Sequence, residues 1–390
     1  MKEKVCCATC KKLDTPEETS RFIRDQDANL VICEDCVQVM YEALDLKEQK
    51  KAPEFKILET PNPKKIYEHL NKHIISQDDA KRQISIAIAQ HYRRIKDPSI
   101  EKANILMMGP TGTGKTEIAR SIANFLQVPF VTTDATSLTT RGYVGEDADS
   151  VVANLLQSCN YNVSKAEKGI IFIDEIDKLA KVQNNSSQIS TVSVQQELLK
   201  IMEGSTVKVY KGGKHRGEEI LVNTKNILFI CAGSFAGLDE IVENSKKENS
   251  SSIGLMPSLK AQNDIENETH QLQLFGFIPE FLGRLPIIVK TNQLSEEDFY
   301  KILVEPENSI TNQYIKLLKM DRIDATFDSS FLKELAKKAI EKKLGARGIR
   351  KVLEYHLKDL FFNIEEYVDK SITISDKIEL NSENVNQEKA

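Results

Sequence analysis

Residues 109–116 read Gly109-Pro110-Thr111-Gly112-Thr113-Gly114-Lys115-Thr116. Every position of a phosphate-binding loop is filled. Glycines let such a backbone fold round a polyphosphate where a Cβ would clash. The N–H groups exposed there point at the anion. Lys115 offers a compact positive charge to the β- and γ-phosphates, and Thr116 a hydroxyl to a magnesium ion. The flanks agree with this reading. The apolar run Ile105-Leu106-Met107-Met108 predicts a strand before the loop, and Ile118 to Leu126 predicts a helix after it.

Working outward, four more apolar runs predict strands. They are Val128 to Thr132, Ile170-Ile171-Phe172-Ile173, Ile227-Leu228-Phe229-Ile230 and Pro286 to Val289. Continuous apolar runs alternating with helices predict an α/β fold with a parallel sheet covered on both faces. Ligands of such sheets bind at the carboxyl ends of the strands. The loop and the pair Asp174-Glu175 therefore belong to one edge. Four apolar residues followed by two acids form a Walker B strand. Asp174 is expected to bind the magnesium, directly or through water. Glu175 is expected to orient or deprotonate the attacking water. The reaction implied is ATP hydrolysis.

Ahead of the loop, Ile66, Leu70 and Ile74 have helical spacing. Ser76-Gln77-Asp78-Asp79 predicts the start of a further helix with Ser76 as its cap. Its apolar face runs through Ile84, Ala87, Ile88, His91 and Ile95, with His91 read as a packed or surface residue. Beyond the sheet, Ser295-Glu296-Glu297-Asp298 opens another helix with acids in its first turn. Residues 291–378 alternate helices with little strand signal beyond Ile372 to Ile374, which predicts a mainly helical small C-terminal domain. From Asn381 the chain is polar.

At the front, Cys7-x-x-Cys10 and Cys33-x-x-Cys36 are separated by 22 residues. Two such pairs can close a tetrahedral thiolate site round zinc. Cys6 is also within ligand reach of Cys10, so the first ligand is Cys6 or Cys7. Cys7 is preferred because it restores the two-residue spacing of the second pair. Residues 1–48 have few large apolar side chains, so a structural metal would supply missing stability. Four scattered thiols, or a redox-active pair, are the competing readings. Residues 37–48 predict a short amphipathic helix, and residues 49–63, with Pro53, Pro61 and Pro63 among charges, a linker. The expected divisions are a zinc module 1–48, linker 49–63, large ATPase domain 64–290, small domain 291–378 and polar tail 379–390.

The composition bounds the rest. Of 390 residues 40% are hydrophobic and 28% charged, and the net charge is −5. A nucleic-acid partner usually demands a strongly basic domain, so this balance argues against one. No apolar run approaches the ~20 residues of a membrane span, and no apolar signal segment follows Met1. A cytoplasmic protein is expected. The seven cysteines then read as thiols or metal ligands, with Cys159 and Cys231 as buried apolar thiols.

From residue 5 to about 375 the chain resembles the ClpX family of AAA+ unfoldases, which feed the ClpP peptidase. The words that carry the resemblance are spread along the chain. They are Gly142-Tyr143-Val144-Gly145-Glu146-Asp147, Ile171-Phe172-Ile173-Asp174-Glu175-Ile176-Asp177-Lys178, Phe275-Gly276-Phe277-Ile278-Pro279-Glu280-Phe281-Leu282-Gly283-Arg284-Leu285-Pro286 and Gly345-Ala346-Arg347-Gly348-Ile349-Arg350. The cysteine module separates this family from the related HslU unfoldase. The resemblance implies a P-loop AAA+ large domain, a small lid domain, a homo-hexamer, and ATP, Mg2+ and Zn2+ as bound groups. It implies that Pro110, Thr111, Gly112, Thr113, Gly114, Lys115, Thr116 and Glu117 bind ATP, with Ile74 and Ile75 at the adenine. Lys115 and Glu175 would be catalytic, together with Arg284 as the arginine finger of a neighbouring subunit. Arg347 would be the second sensor arginine. Tyr143 and Val144 would line the substrate pore as an apolar wedge that grips any polypeptide. Ile253-Gly254-Leu255 would dock on the ClpP peptidase. Protein substrates, with adaptors, would be the further partners.

Three departures stand out. The second pore stretch Ser187-Gln188-Ile189-Ser190-Thr191-Val192-Ser193 has no charge, the basic entrance loop reads Lys214-His215-Arg216, and Ser76 replaces a glycine. They point to a divergent member or a second copy with narrowed substrates. A peptidase-independent remodeller is the alternative function, and a DNA-directed motor is the reading that the acidic balance disfavours.

Overall fold

Apolar runs of four to six residues form the centre of the fold. The architecture comes from a computed structural model, which describes residues 6–10, 22–25, 30–40, 61–97, 99–139, 146–180, 188–211, 218–249, 262–306, 309–341, 345–376 and 378–380. The chain divides into two units, Met1–Lys56 and Ile57–Ala390. In the first, strands β1 (Phe22–Asp25) and β2 (Leu30–Cys33) form an antiparallel hairpin, and helix α1 (residues 34–40) follows directly.

The second unit begins with helices α2 (Pro63–His73) and α3 (Asp78–Arg94). Pro63, at the end of the expected linker, already opens α2, where its missing N–H costs nothing. Then come β3 (Ile105–Met108), α4 (Lys115–Leu126), β4 (Phe130–Asp134), α5 (Ala148–Ser158), α6 (Val163–Ala166) and β5 (Ile170–Asp174). Helix α7 (Gln188–Glu203) leads into a hairpin of β6 (Thr206–Tyr210) and β7 (Glu219–Asn223). Strand β8 (Leu228–Gly233), helices α8 (Leu238–Asn249), α9 (Gln262–Phe275) and α10 (Pro279–Gly283), and strand β9 (Ile287–Lys290) complete this part.

The main sheet is parallel, in the order β4-β5-β8-β3-β9. Strands β3 and β8 are buried along their whole length, as expected for a sheet covered on both faces. Alternation divides each strand between two layers. Ile171, Ile173, Phe229 and Cys231 face the cluster built with Val151 and Leu155 of α5 and Leu198 and Met202 of α7. Ile170, Phe172 and Ile230 therefore point the other way, toward the side on which α3 and α4 bury Ile84, Ile88, Ile118 and Ile122.

The remaining part holds α11 (Glu296–Val304), α12 (Ile310–Met320), β10 (Asp324–Phe327), α13 (Ser329–Glu341), α14 (Gly345–Phe362), β11 (Ser371–Ile374) and β12 (Ile378–Leu380). It has its own core, with Leu303, Leu335, Leu353, Leu357 and Ile372 at its centre. Helix α11 starts with the expected Ser295 cap, which is a full capping box with Asp298.

Several expectations change. The mainly helical small part also carries a three-stranded sheet, β10-β11-β12, and β12 reaches Leu380, inside the expected tail. The hairpin β6-β7 was not expected; its alternating Val207 and Val209 pack on the main core. Helices α8 and α9 stand before and after Ile253-Gly254-Leu255 in the chain. Ser76 is not the cap of α3. Gln77 holds that position with no side-chain cap bond, and both residues are left-handed, at φ 58° and 63°. The Gln77 amide is used elsewhere: it donates to Asn292 O at 2.7 Å and accepts from Asn292 N at 2.8 Å. His91 is packed, with Nε2 3.1 Å from Asn226 O. Among the described residues no helix is long and apolar enough to cross a membrane.

Gln195 shows what a buried polar group does for this core. It is fully buried, donates to Leu179 O at 2.7 Å and accepts from Ile278 N at 3.0 Å. Replacing it with leucine leaves two backbone groups unpaired. Gln195→Leu is expected to lower stability by about 1–3 kcal/mol, read as an earlier urea unfolding midpoint.

Candidate functional site

The phosphate-loop sequence lies between β3 and α4, at the carboxyl edge of the sheet. Gly109 turns the chain at φ 145°, and a Cβ there would stand 2.3 Å from Thr291 O. The loop thus lies tight against the segment that leaves β9. Thr291 N donates to Met108 O at 2.8 Å, and its hydroxyl is 2.8 Å from that of Thr113. Gly109 N reaches Gly233 O at the end of β8, 3.2 Å away. Lys115 Nζ donates to Gly109 O at 2.6 Å and Pro110 O at 2.8 Å, which holds the ammonium over the loop. Helix α4 starts at Lys115, so its positive dipole end faces the same place.

Asp174 ends β5 and receives the Thr116 hydroxyl at 3.2 Å. A hydroxyl and a carboxylate at this spacing are hard oxygen donors of the kind magnesium takes. Glu175 follows with φ 54°, an unfavourable backbone for a non-glycine residue, and its N–H donates to Asp174 Oδ1 at 3.0 Å.

These groups line a cleft of about 670 Å³. Thr111, Gly112, Gly114, Lys115, Thr116, Glu117 and Arg120 come from the loop and α4, and Asp174, Glu175, Asp177 and Lys178 from the end of β5 and the turn after it. Ser234 follows β8, and Ile310 and Arg350 come from the C-terminal part. That volume suits a nucleotide-sized ligand. The C-terminal part also touches the loop itself. Gly345, at the head of α14, has φ 61°, and a Cβ there would stand 2.9 Å from Gly112 Cα.

Six lining residues were given no role from the sequence, Arg120, Asp177, Lys178, Ser234, Ile310 and Arg350, and neither was Thr291, which packs on the loop. Asp177 accepts from the Ser234 hydroxyl at 2.9 Å and from Phe235 N at 3.2 Å, which fixes the turn after β8. Arg350 donates to Gln313 Oε1. Its place three residues after Arg347, one helical turn on, was the available signal.

Other expected residues lie elsewhere. Ile74 is buried at the end of α2 and Ile75 is half-buried, and neither is among the residues lining the cleft. Arg347 sits in the first turn of α14, and its side chain lies outside the described residues, as do Tyr143, Val144, Ile253, Gly254, Leu255, Ser187 and the Lys214-His215-Arg216 loop. Arg284 precedes β9, whose first residue pairs with Ile105 at the start of β3. It therefore lies at the opposite sheet edge from the loop, where its Nε and Nη2 bind Glu203 Oε1 at 3.0 and 2.9 Å.

In the first unit, the sulfurs of Cys7, Cys10, Cys33 and Cys36 all lie within 4.8 Å of one another. Zn–S bonds of about 2.3 Å in a tetrahedron place sulfurs about 3.8 Å apart, so the set fits zinc. Cys6 is exposed and outside the cluster, whereas Cys7 is buried within it. Backbone N–H groups of Cys10 and Cys33 hold the Cys7 thiol down at about 6. The Cys10 side chain and burial push Cys36 up to about 12. Four thiolates this close repel one another, and a dication removes that conflict. Cys159 and Cys231 are buried, and burial raises the Cys231 thiol to about 12, so it acts as a packing residue.

Comparison with known proteins agrees with this geometry. Residues 100–288 match the AAA domain (Cdc48 subfamily) model, and residues 294–379 match the model of the C-terminal, D2-small domain of ClpB protein. A curated relative from Bacteroides thetaiotaomicron, an ATP-dependent Clp protease ATP-binding subunit ClpX, is 43% identical over 370 residues, covering 89% of each chain. The subunit of the same name from Borrelia duttonii is 42% identical over 90% of this chain and 86% of its own. That from Treponema denticola is 40% identical over 91% of this chain and 89% of its own.

The cysteine geometry has a direct check in elemental analysis. Cys6→Ser is expected to keep one zinc per chain, whereas Cys36→Ser is expected to lose it and to unfold the first unit. Equal zinc in both variants would contradict the four-thiol set.

Proposed function

The chain belongs to the ClpX family of AAA+ ATPases, and from that premise we propose that it works as a hexameric unfoldase that passes protein chains to the ClpP peptidase. It hydrolyses ATP. The observation that supports a ring is the position of Arg284, at the far sheet edge from the phosphate loop of its own chain. An arginine there serves a neighbouring cleft, so hydrolysis needs a seam between protomers.

The chemistry follows from the residues in the cleft. Loop N–H groups and Lys115 neutralise the β- and γ-phosphates. Magnesium, held by Thr116 and Asp174, supplies further charge stabilisation when bound. Glu175 takes a proton from water as the water oxygen attacks the γ-phosphorus. The bond to the β-phosphate oxygen breaks, and its electron pair leaves with ADP. The neighbour's Arg284 stabilises the charge on the transferring group. Pro110 to Glu117, with Ile74 and Ile75 at the base, form the ATP site in this reading. Gly345 lies against the loop and Arg350 lines the cleft, so loss of the γ-phosphate shifts the C-terminal part relative to the sheet.

That shift drives Tyr143 and Val144, which grip the substrate in the pore. Ile253, Gly254 and Leu255 dock on the peptidase. Zinc on Cys7, Cys10, Cys33 and Cys36 is structural. The divisions 1–48, 49–63, 64–290, 291–378 and 379–390 go with this assignment, as does a cytoplasmic location.

The test is ATP-dependent degradation of a tagged folded protein by the chain plus purified ClpP. Tyr143→Ala is expected to stop unfolding while ATP turnover persists. Leu255→Asp is expected to stop degradation but not unfolding. If the unaltered chain unfolds the substrate yet does not bind the peptidase, it is a peptidase-independent remodeller. A second measurement concerns the chemistry alone: Glu175→Gln is expected to cut turnover by at least about a hundred-fold while ATP still binds.

A further inference from the structure

We infer that Glu203 is a positioning residue for Arg284, aiming its guanidinium out of the protomer toward the nucleotide cleft of the next one. The inference rests on the reading of Arg284 as an arginine that acts in trans.

The contact is a fork. One carboxylate oxygen of Glu203 accepts from both Nε and Nη2 of Arg284, at 3.0 and 2.9 Å. This uses one edge of the guanidinium and leaves its remaining N–H donors for an incoming anion. The two side chains are 46% and 42% exposed, so the pair lies at the surface, where another protomer can reach it. At that exposure an ion pair adds little to folding. What it does supply is direction, because a long flexible side chain is held in one orientation.

Glu203 is placed against its local electrostatic preference. It is the last residue of α7, where the helix dipole is negative and a carboxylate is disfavoured. Arg284 offsets that repulsion. The end of α7 is also fixed from beneath. Thr224 Oγ1 donates to Ile201 O at 2.7 Å, and Asn104 Nδ2 reaches Met202 O at 3.5 Å. The same Asn104 amide donates to Arg284 O at 3.0 Å and accepts from Phe229 N at 3.3 Å. Asn104 is only 1% exposed. One buried amide therefore ties together the backbone beside Glu203, the backbone of Arg284 and strand β8. Acid and base are held at both their side chains and their main chains, so their relative geometry is fixed before any neighbour arrives.

Mixed rings test this. Arg284→Ala protomers keep an intact cleft, and Glu175→Gln protomers keep an intact arginine. Each is expected to be nearly inactive alone, and ATP turnover returns at seams where they mix. Glu203→Ala is then added to one partner or the other. On the arginine-donating protomer it is expected to lower the restored kcat roughly five-fold, with KM for ATP unchanged. On the cleft-donating protomer it is expected to change nothing. Glu203→Gln, which keeps the shape, is expected to fall between. An equal loss on either protomer means a general structural role and overturns the proposal, as does no loss on either. If Arg284→Ala protomers are fully active unmixed, the trans reading of Arg284 itself has failed, which is a separate result.

Discussion

The short contact between Thr116 and Asp174 depends on two strand ends held on either side of a third. In the sheet order β4-β5-β8-β3-β9, strand β8 lies between the strand that carries Asp174 and the strand that feeds the loop. Register does the positioning. Met108 pairs with Gly233 and Ile173 pairs with Cys231, so the loop and the acid leave the sheet at nearly the same level. A one-residue slip would move Asp174 along the strand and reverse Ile171 and Ile173 between layers. Close packing opposes it, because the slip would put the Phe172 ring into the layer that Ile171 and Ile173 fill. The hydrophobic core thus fixes the distance between a hydroxyl and a carboxylate.

The loop is equally constrained from the other side. Thr291 contacts Met108, Gly109 and Thr113, and the next residue, Asn292, is clamped by Gln77. This segment leads straight into α11, the first helix of the C-terminal part. Gly345 returns from α14 to sit against Gly112. Anything bound on the loop therefore lies between two contacts, one at the start and one in the body of the C-terminal part. Such an arrangement gives a ligand different contacts in different orientations of that part, which is what coupling requires.

Much of this was legible in the chain. Strands β3, β5 and β8 are continuous apolar runs, and a fully buried strand has no other way to be written. The phosphate loop and Asp174-Glu175 are contiguous words whose chemistry is local. The cysteine pairs are equally local, and the spacing that favours Cys7 over Cys6 agrees with the sulfur positions. The missed features are non-local. Strand β10 is four residues whose parallel partner lies far along the chain, at Ser371 to Ile374. The β6-β7 hairpin exposes one face, so its pattern is a weak alternation on a single layer. Thr291, Asp177 and Ser234 gain their roles only from neighbours that the fold supplies. Ser76 was read as a cap from its side chain, but the backbone is left-handed there, and Gln77 is committed to Asn292.

Local rules fail here at chosen places. Glu175 holds a positive φ in the cleft, Glu203 sits at the wrong end of a helix dipole, and Gln77 caps α3 without a side-chain bond. None of these is stable on its own account. Two are held by a partner across the fold, Glu203 by Arg284 and Gln77 by Asn292, while the Glu175 N–H is held locally by the neighbouring Asp174 carboxylate. Such exceptions collect where charge or movement must be controlled, because a residue in its local minimum has no reason to point at a distant partner. The centre of the sheet, by contrast, is written in apolar residues that suit buried strands. A rigid, locally consistent core is what lets a few side chains at its edges be held away from theirs.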